Sequence, residues 1–231
     1  MKHVWMWPLS WVIHRWPALF MPTLPARLQA TLRDVPSVRS ASCFGSRIAL
    51  FEHLEPQISS ESNYLEFGVH RGESVHMVLR LWGHKLRQVV GFDSFEGLPE
   101  SWQSSSQNYL QGTFDVHGQL PNVNDERVAF VKGWFADTWP SFAEEFREKY
   151  PGFPLIVHLD SDLYSSAVTV LSAFSQDWAP SILICDEWTG GEALAVEEWL
   201  TQEGLKAECL GWVRNPAHLF PEQVALRIRR G

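Results

Sequence analysis

The fold is decided by the stretch Tyr64-Leu65-Glu66-Phe67-Gly68-Val69-His70-Arg71-Gly72. Residues 64–69 have the apolar content of a buried strand, and Gly68 and Gly72 allow the chain to turn sharply at its end. Beyond Gly72, apolar residues recur at the spacing of one helical face: Val75, Val78, Leu79 and Trp82. The stretch therefore predicts a strand, a tight turn and a helix, which is the repeating unit of parallel sheets.

The same alternation continues along the chain. Apolar runs predict further strands at residues 89–92, 128–131, 155–159 and 182–185. Helices are predicted at 24–33, at 46–54, after a cap at Thr138, from Leu163 onward, and over 192–202. Two last strands, near 206–213 and 223–229, suit an antiparallel hairpin at the sheet edge. We therefore expect an α/β fold with a Rossmann-like sheet, mostly parallel with an antiparallel edge hairpin, and helices on both faces.

Acidic residues follow the predicted strands where each strand ends. Asp93, Asp160 and Asp186 occupy three such ends, with Asp162 and Glu187 close behind them in the chain. Ligands of open parallel sheets bind outside the carboxyl ends of the strands. Because carboxylates gathered there repel one another, we expect a cation or a ligand to offset their charge.

The glycine turn indicates which ligand this is. Its spacing is GxxxG, not the GxGxxG that cradles a pyrophosphate, and no phosphate-binding lysine follows. Glu66 would repel a phosphate but suits an ammonium group, and Asp93 is placed to accept hydrogen bonds from a ribose diol. A nucleoside with a cationic amino-acid tail, S-adenosylmethionine, satisfies both.

Four strings of sequence then carry a resemblance. They are residues 93–99 (DSFEGLP), 133–138 (GWFADT), 159–164 (LDSDLY) and 186–188 (DEW). Together they resemble the macrocin O-methyltransferase family, over roughly residues 63–199. The resemblance implies a class I methyltransferase sheet and a metal-dependent enzyme that uses S-adenosylmethionine.

The resemblance also implies roles for individual residues. Those placed along the cofactor are Glu66, Gly68 and Ser74 at its methionine end, Asp93 and Ser94 at the ribose, and Gly133, Trp134 and Phe135 at the adenine. Asp160, Asp186 and Glu187 match the metal ligands, although the family more often has two aspartates at the last two positions. Asp162 matches the general base.

Those assignments make chemical sense. Mg²⁺ or another divalent cation prefers hard oxygen ligands, and it can lower the pKa of a hydroxyl bound to it. Asp162 could then take the proton while the hydroxyl accepts the methyl group. The expected acceptor is a small molecule with a hydroxyl on a sugar or natural product, in a pocket built from residues 100–127 and the N-terminal arm. His158, inside a predicted strand, is expected to be a core residue.

Three other readings remain open. Asp160-Ser161-Asp162 is also a DxD, the metal and nucleotide-sugar motif of many glycosyltransferases. A protein that binds S-adenosylmethionine without turnover would keep the same fold. A Rossmann dehydrogenase is the third reading, and the missing GxGxxG speaks against it.

Composition limits the class of protein. The 231 residues suit one domain, expected over residues 41–231. The formal charge of −8 argues against a nucleic-acid partner, which would require a basic surface. Three widely spaced cysteines without a CxxC pair favour a reducing compartment, so a cytoplasmic location is expected.

Residues 1–40 are expected to form a tryptophan-rich arm. Trp5, Trp7, Trp11 and Trp16 fall in the first sixteen residues of a chain that has 12 tryptophans. Prolines divide this segment into apolar stretches that are far too short to span a membrane. The segment also fits the pattern of a secretory leader poorly. Because so many exposed rings would favour aggregation, we expect the arm to be covered as a homodimer contact or an active-site lid.

Overall fold

The computed structural model describes residues 37–103, 108–214 and 221–231. The helix predicted at 24–33 and nearly all of the predicted arm lie outside the described residues. Within the described part, the strands are β1 (Cys43–Phe44), β2 (Ser62–Phe67), β3 (Leu86–Asp93), β4 (Trp102–Gln103), β5 (Asn108–Tyr109), β6 (Val128–Lys132), β7 (Leu155–Leu159), β8 (Ile182–Cys185), β9 (Leu205–Arg214) and β10 (Pro221–Arg230). The α-helices of the described part are α1 (Arg47–Leu54), α2 (Glu73–Trp82), α3 (Phe135–Lys149), α4 (Tyr164–Leu171) and α5 (Glu192–Glu203).

Eight of these strands form one sheet in the order β1-β9-β10-β8-β7-β2-β3-β6. β2 pairs in parallel with both β3 and β7, and the parallel pairing continues to β6 on one side and β8 on the other. β10 pairs antiparallel with both β8 and β9. The predicted α/β class, the mostly parallel sheet and the antiparallel hairpin are confirmed, and the short β1 adds a parallel strand outside the hairpin.

Alternation along β2 explains why helices cover both faces. Leu65 and Phe67 point into one apolar cluster, which includes Trp139 of α3 and Val196 of α5. Tyr64 belongs to a second cluster, packed under α1 and α2. All six residues of β2 are buried, as expected of a central parallel strand.

One predicted boundary was wrong. Thr138 does not cap α3, which begins at Phe135 with Trp134 as its extended N-cap residue. Gly133, at φ +146°, turns the chain directly after β6, so the helix starts earlier than its proline suggested. Pro140 consequently lies inside the helix, and the Thr138 hydroxyl donates to the carbonyl of Trp134 at 3.0 Å.

The described residues between 94 and 127 form a largely irregular excursion between β3 and β6. They do contain the small antiparallel pair β4 and β5, which lies apart from the main sheet. Trp102 and Tyr109 stack across this pair with ring centroids 4.9 Å apart. Among the described residues, no helix combines the length and apolarity that crossing a bilayer requires.

Candidate active site

The site lies where the order of the parallel strands reverses. The chain leaves β2 toward β3 and β6 on one side, and returns through β7 and β8 on the other. Such a reversal opens a crevice at the carboxyl ends of the strands. A cavity of about 450 Å³ occupies this position. Its walls come from the ends of β2, β3, β6, β7 and β8, from α1 and α4, and from the excursion.

Gly68 brings the two central strand ends together. The residue has φ +100°, and a Cβ built there would overlap the carbonyl oxygen of Asp160. The amide of Asp160 donates to the carbonyl of Phe67 at 2.9 Å, which continues the β2–β7 pairing past the strand end. The turn predicted to approach the cofactor is therefore packed against the first predicted metal ligand.

Asp93 holds that turn in place. One of its carboxylate oxygens accepts the amides of Val69 and His70, both at 2.8 Å. The other accepts the amide of Phe95 at 2.7 Å. A carboxylate has about four acceptor positions, so one remains beyond these three bonds. Asp93 therefore shapes the glycine turn as well as facing the cavity.

Most of the predicted cofactor residues line this cavity. Those that do are Gly68, Asp93, Ser94, Gly133, Trp134 and Phe135. Glu66 and Ser74 do not, since both are buried behind the turn. The Ser74 hydroxyl donates to Glu66, whose other oxygen accepts the hydroxyl of Tyr64 at 2.8 Å. These two residues support the turn from within the protein.

The three predicted metal ligands line the same rim of the cavity, but one of them lies apart from the other two. Asp160, Asp186 and Glu187 all line it. However, the side chains whose possible ligand atoms lie within 4.8 Å of one another are His158, Asp160 and Asp186, and Glu187 is not in this group.

His158 does not suit a metal despite its position. It is fully buried in β7, between Glu66 at 3.8 Å and Asp186 at 3.6 Å. Burial alone would lower the pKa of His158, but the two carboxylates outweigh it and raise the pKa to about 10. A protonated imidazole has no free lone pair for a metal. The two aspartates, with hard oxygen atoms, fit a divalent cation.

Three partners surround Asp186. The guanidinium of Arg47 donates to one of its oxygens, and the amide of Gln223 donates to the other. Burial acts against ionisation of this carboxyl, but His158 and Arg47 outweigh it and lower the pKa of Asp186. Asp160 has weaker compensation, with the same guanidinium at 3.7 Å, so burial and the charge of Asp186 raise its pKa well above the usual range.

The two acids next to these aspartates, Asp162 and Glu187, have raised pKa values because they lie near other carboxylates. Burial and the charge of Asp186 raise the pKa of Asp162 to about 7. Burial and the charge of Asp162 raise the pKa of Glu187 to about 9. Asp162 also has a left-handed backbone, with φ +61°. Strain of this kind is often found at functional sites, and it turns this side chain out of the β7 register.

Sequence reasoning missed three residues that shape the rim. Arg47 is the first residue of α1, Gln223 lies in β10, and Glu192 begins α5. Glu192 is fully buried and accepts the amide of Ser161 at 3.3 Å and that of Glu187 at 3.2 Å. None of the three belongs to a motif. Charged residues at the start of a helix, such as Arg47 and Glu192, are normally solvated, and a single glutamine in a strand has no distinctive pattern. The sequence therefore carried no signal for these three residues.

Aromatic residues of the excursion form the outer wall. Trp102, Tyr109 and Phe114 line the cavity, and Phe114 is 41% exposed although its backbone has φ +72°. The ring of Phe114 lies 5.3 Å from that of Tyr109 and 5.9 Å from that of His70. Trp188, in contrast, is a core residue with 1% exposure.

Comparison with known proteins agrees with the resemblance of the four strings. A family model described as macrocin O-methyltransferase matches residues 21–213. A similar characterised protein is the 8-demethyl-8-(2,3-dimethoxy-alpha-L-rhamnosyl)-tetracenomycin-C 4′-O-methyltransferase of Streptomyces olivaceus, with 27% identity. That match covers 68% of this chain and 65% of the relative, so it spans just under two thirds of the relative's length.

Solved structures resemble the chain more distantly. The crystal structure of an O-methyltransferase from Bacillus cereus in complex with S-adenosylhomocysteine has 13% identity and a TM-score of 0.43. That alignment covers 94% of this chain and 97% of the Bacillus protein.

Proposed function

The chain belongs to the macrocin O-methyltransferase family, and from this premise we propose that it is an S-adenosylmethionine-dependent O-methyltransferase. The proposed reaction moves a methyl group to a hydroxyl of a small acceptor, with a divalent cation assisting. The observation that carries this proposal is the single cavity wall on which residues of both predicted sets meet: six of the cofactor set, and all of the carboxylates of the metal and base set.

The cofactor part is supported by the walls around Gly68. S-adenosylmethionine supplies a methyl group on a sulfonium, which needs only an oxygen nucleophile in line with it. Gly68 leaves room for a ligand beside the strand end, and Asp93 presents its carboxylate to the same space. Ser94 and the stretch Gly133 to Phe135 supply the polar and aromatic borders proposed for the ribose and the adenine. Glu66 and Ser74 would act on the cofactor only by holding the turn.

The metal part is supported by the oxygen atoms of Asp160 and Asp186. These would hold Mg²⁺ or a similar cation, with Glu187 as a third ligand if its side chain turns toward them. A cation bound there would lower the pKa of an acceptor hydroxyl. The unusually high pKa values of Asp160 and Glu187 are those of carboxyls short of positive charge, which is the condition that a cation relieves.

Asp162 is the proposed general base. It faces the cavity two residues after Asp160, on a strained backbone that turns its carboxylate toward the cavity. A base works best when its pKa lies near the working pH, and the pKa of Asp162 is raised to about 7. The carboxylate would accept the proton of the acceptor hydroxyl as the new oxygen–carbon bond forms and the bond between the methyl group and sulfur breaks, which releases S-adenosylhomocysteine.

The acceptor is proposed to carry its hydroxyl on a sugar or another natural product. The name of the Streptomyces olivaceus relative describes methyl transfer to a rhamnosyl group, which supports this class. The aromatic wall of Trp102, Tyr109 and Phe114 would contact the apolar face of such a molecule. We also propose a reducing, cytoplasmic setting, since the three cysteines are free in the described structure.

Calorimetric titration with S-adenosylhomocysteine, with and without Mg²⁺, tests the proposal. Micromolar binding is expected, and Gly133→Val should abolish it because a side chain at φ +146° would displace the adenine border. Gly152→Val is the matched control, since Gly152 also has positive φ, at +76°, but lies outside the cavity. Absence of binding by the folded wild type under both conditions would refute the methyltransferase proposal. Nucleotide-sugars would then be titrated to test the glycosyltransferase reading.

A further inference from the structure

We infer that Arg47 is the resident counter-ion of the acidic rim, and that a divalent cation must displace its guanidinium from Asp160 and Asp186 in order to bind. The inference rests on the proposed function, because it takes these two aspartates as the metal ligands. It assigns a role to Arg47, which belongs to no motif. It also means that either the guanidinium or a divalent cation can supply positive charge to the rim.

The contacts of Arg47 place it where a metal would compete with it. Its Nη2 donates to Oδ2 of Asp186 and lies 3.7 Å from Oδ2 of Asp160. Among the described residues, no other arginine and no lysine forms an ion pair with Asp160 or Asp186. The other oxygen of Asp186 already accepts the amide of Gln223 and faces His158. A cation approaching Asp186 therefore meets the oxygen that Arg47 occupies.

The two occupants exclude each other on physical grounds. Mg²⁺ requires a compact octahedral shell at about 2.1 Å, in which each ligand oxygen faces the ion. A guanidinium that bridges the same two carboxylates fills that space with its own hydrogen atoms and its own charge. Repulsion between the two cations further disfavours their binding to the same two carboxylates at the same time.

A displaced Arg47 side chain would have space beside α2. Arg47 is the first residue of α1 and its side chain is 38% exposed, so it is not locked in the core. It also lines a second cavity of about 410 Å³, beside α2. Glu73 lines that cavity too and is exposed, so it provides a carboxylate near which the released guanidinium can rest.

The arrangement also explains how the rim tolerates the absence of a metal. Two partly buried carboxylates that repel each other would destabilise the fold, and the guanidinium offsets part of that charge. Metal binding and the Arg47 contact are then linked: the contact lowers the affinity for the metal by the same factor by which bound metal weakens the contact.

Binding of Mn²⁺ alone, followed by electron paramagnetic resonance of the free ion, tests the inference on the full chain. We expect Arg47→Met to bind Mn²⁺ about tenfold more tightly than the wild type, within the range usual for linked sites. Arg47→Lys should fall between the two, because an ammonium cannot bridge both carboxylates as a fork does. Arg80→Met is the matched control: it removes the same charge from the wall of the same second cavity, and Arg80 forms no ion pair with the rim. It should leave Mn²⁺ affinity within twofold of the wild type.

Three results would overturn the inference. Equal or weaker Mn²⁺ binding by both Arg47 variants would show that Arg47 does not compete. Equal tightening by Arg47→Met and Arg80→Met would show only a loss of long-range repulsion. Absence of Mn²⁺ binding in every variant would remove the metal, and the inference with it, while S-adenosylhomocysteine binding would leave the cofactor part of the proposed function standing. If Arg47→Met unfolds, Arg47→Lys against Arg80→Met decides in the same way.

Discussion

Gly68 occupies a position where the surrounding backbone leaves no space for a side chain. Its φ of +100° and its contact with the carbonyl of Asp160 leave no space for a side chain. We predict that Gly68→Ala lowers the free energy of unfolding by about 3 kcal/mol or more and abolishes binding of S-adenosylhomocysteine, because the added methyl group must push β2 and β7 apart. Urea unfolding and calorimetry measure the two effects.

The control for this change is Gly45→Ala, since no atom lies within 4 Å of the position that the methyl group would take. We expect it to leave unfolding within about 1 kcal/mol of the wild type. A folded Gly68→Ala protein that binds the cofactor normally would contradict the close approach of the two strand ends.

Asp162 permits a second test at this scale. We predict that Asp162→Asn keeps affinity for S-adenosylhomocysteine and lowers kcat by about 100-fold or more, since it removes a general base. Asparagine tolerates the left-handed backbone at φ +61°, so the fold should not change. Equal turnover by the variant and the wild type would remove Asp162 from the mechanism.

The pH profile of the same pair has a definite sign. Burial and the charges of Asp186 and Asp93 raise the pKa of Asp162 to about 7, so the carboxyl is protonated and inactive as a base below that value. A cation bound to Asp160 and Asp186 would lower this pKa, so the kcat of the wild type should rise with pH up to about 7 and then level off. Asp162→Asn should lose this rise, and a variant that retains it would place the titrating group elsewhere.

At the scale of elements, β7 connects the cofactor turn to the acidic rim. His158 lies in this strand between Glu66 of β2 and Asp186 at the end of β8. The pKa of His158 is raised from 6.5 to about 10, so its charge contributes stability that is fully present below pH 6.5 and is lost as the pH rises through 10.

We predict that His158→Gln lowers the free energy of unfolding by about 3 kcal/mol at pH 7, because it removes the positive charge that the buried Glu66 and the partly buried Asp186 share. The deficit should shrink toward pH 10, where the wild type loses the same contribution. His84→Gln is the control, since His84 is 63% exposed and pairs with Glu55 at the protein surface. Urea unfolding at pH 7 and pH 10 measures both variants, and a deficit that does not change with pH would contradict a charged His158.

Elements with a strong apolar pattern could be predicted from sequence, and those set by tertiary contacts could not. The run Leu155–Leu159 is buried at every position, and the sequence placed β7 correctly. The start of α3 was placed too late, because Pro140 suggested a first turn where the helix was already under way. The positions of the acids at strand ends follow from topology alone, whereas Arg47 reaches Asp186 from 139 residues away in the chain.

At the scale of the whole molecule, the described part packs two apolar layers on one sheet. The family match starts at residue 21, so Trp5, Trp7, Trp11 and Trp16 all precede it. We propose that the arm contacts a second copy of the chain or covers the acceptor side of the cavity.

Deletion of residues 1–25 tests this proposal. Because the cofactor walls lie between Gly68 and Glu187, the shortened protein should bind S-adenosylhomocysteine as the full chain does. It should also sediment at half the mass of the wild type if the arm joins two copies, or show a raised KM for the acceptor if the arm covers the cavity. A full-length variant with Gln at the four tryptophan positions separates loss of the rings from loss of length, and it should behave as the deletion does. If both proteins keep the mass and the KM of the wild type, the rings serve neither purpose, and the acceptor pocket must be complete without residues 1–25.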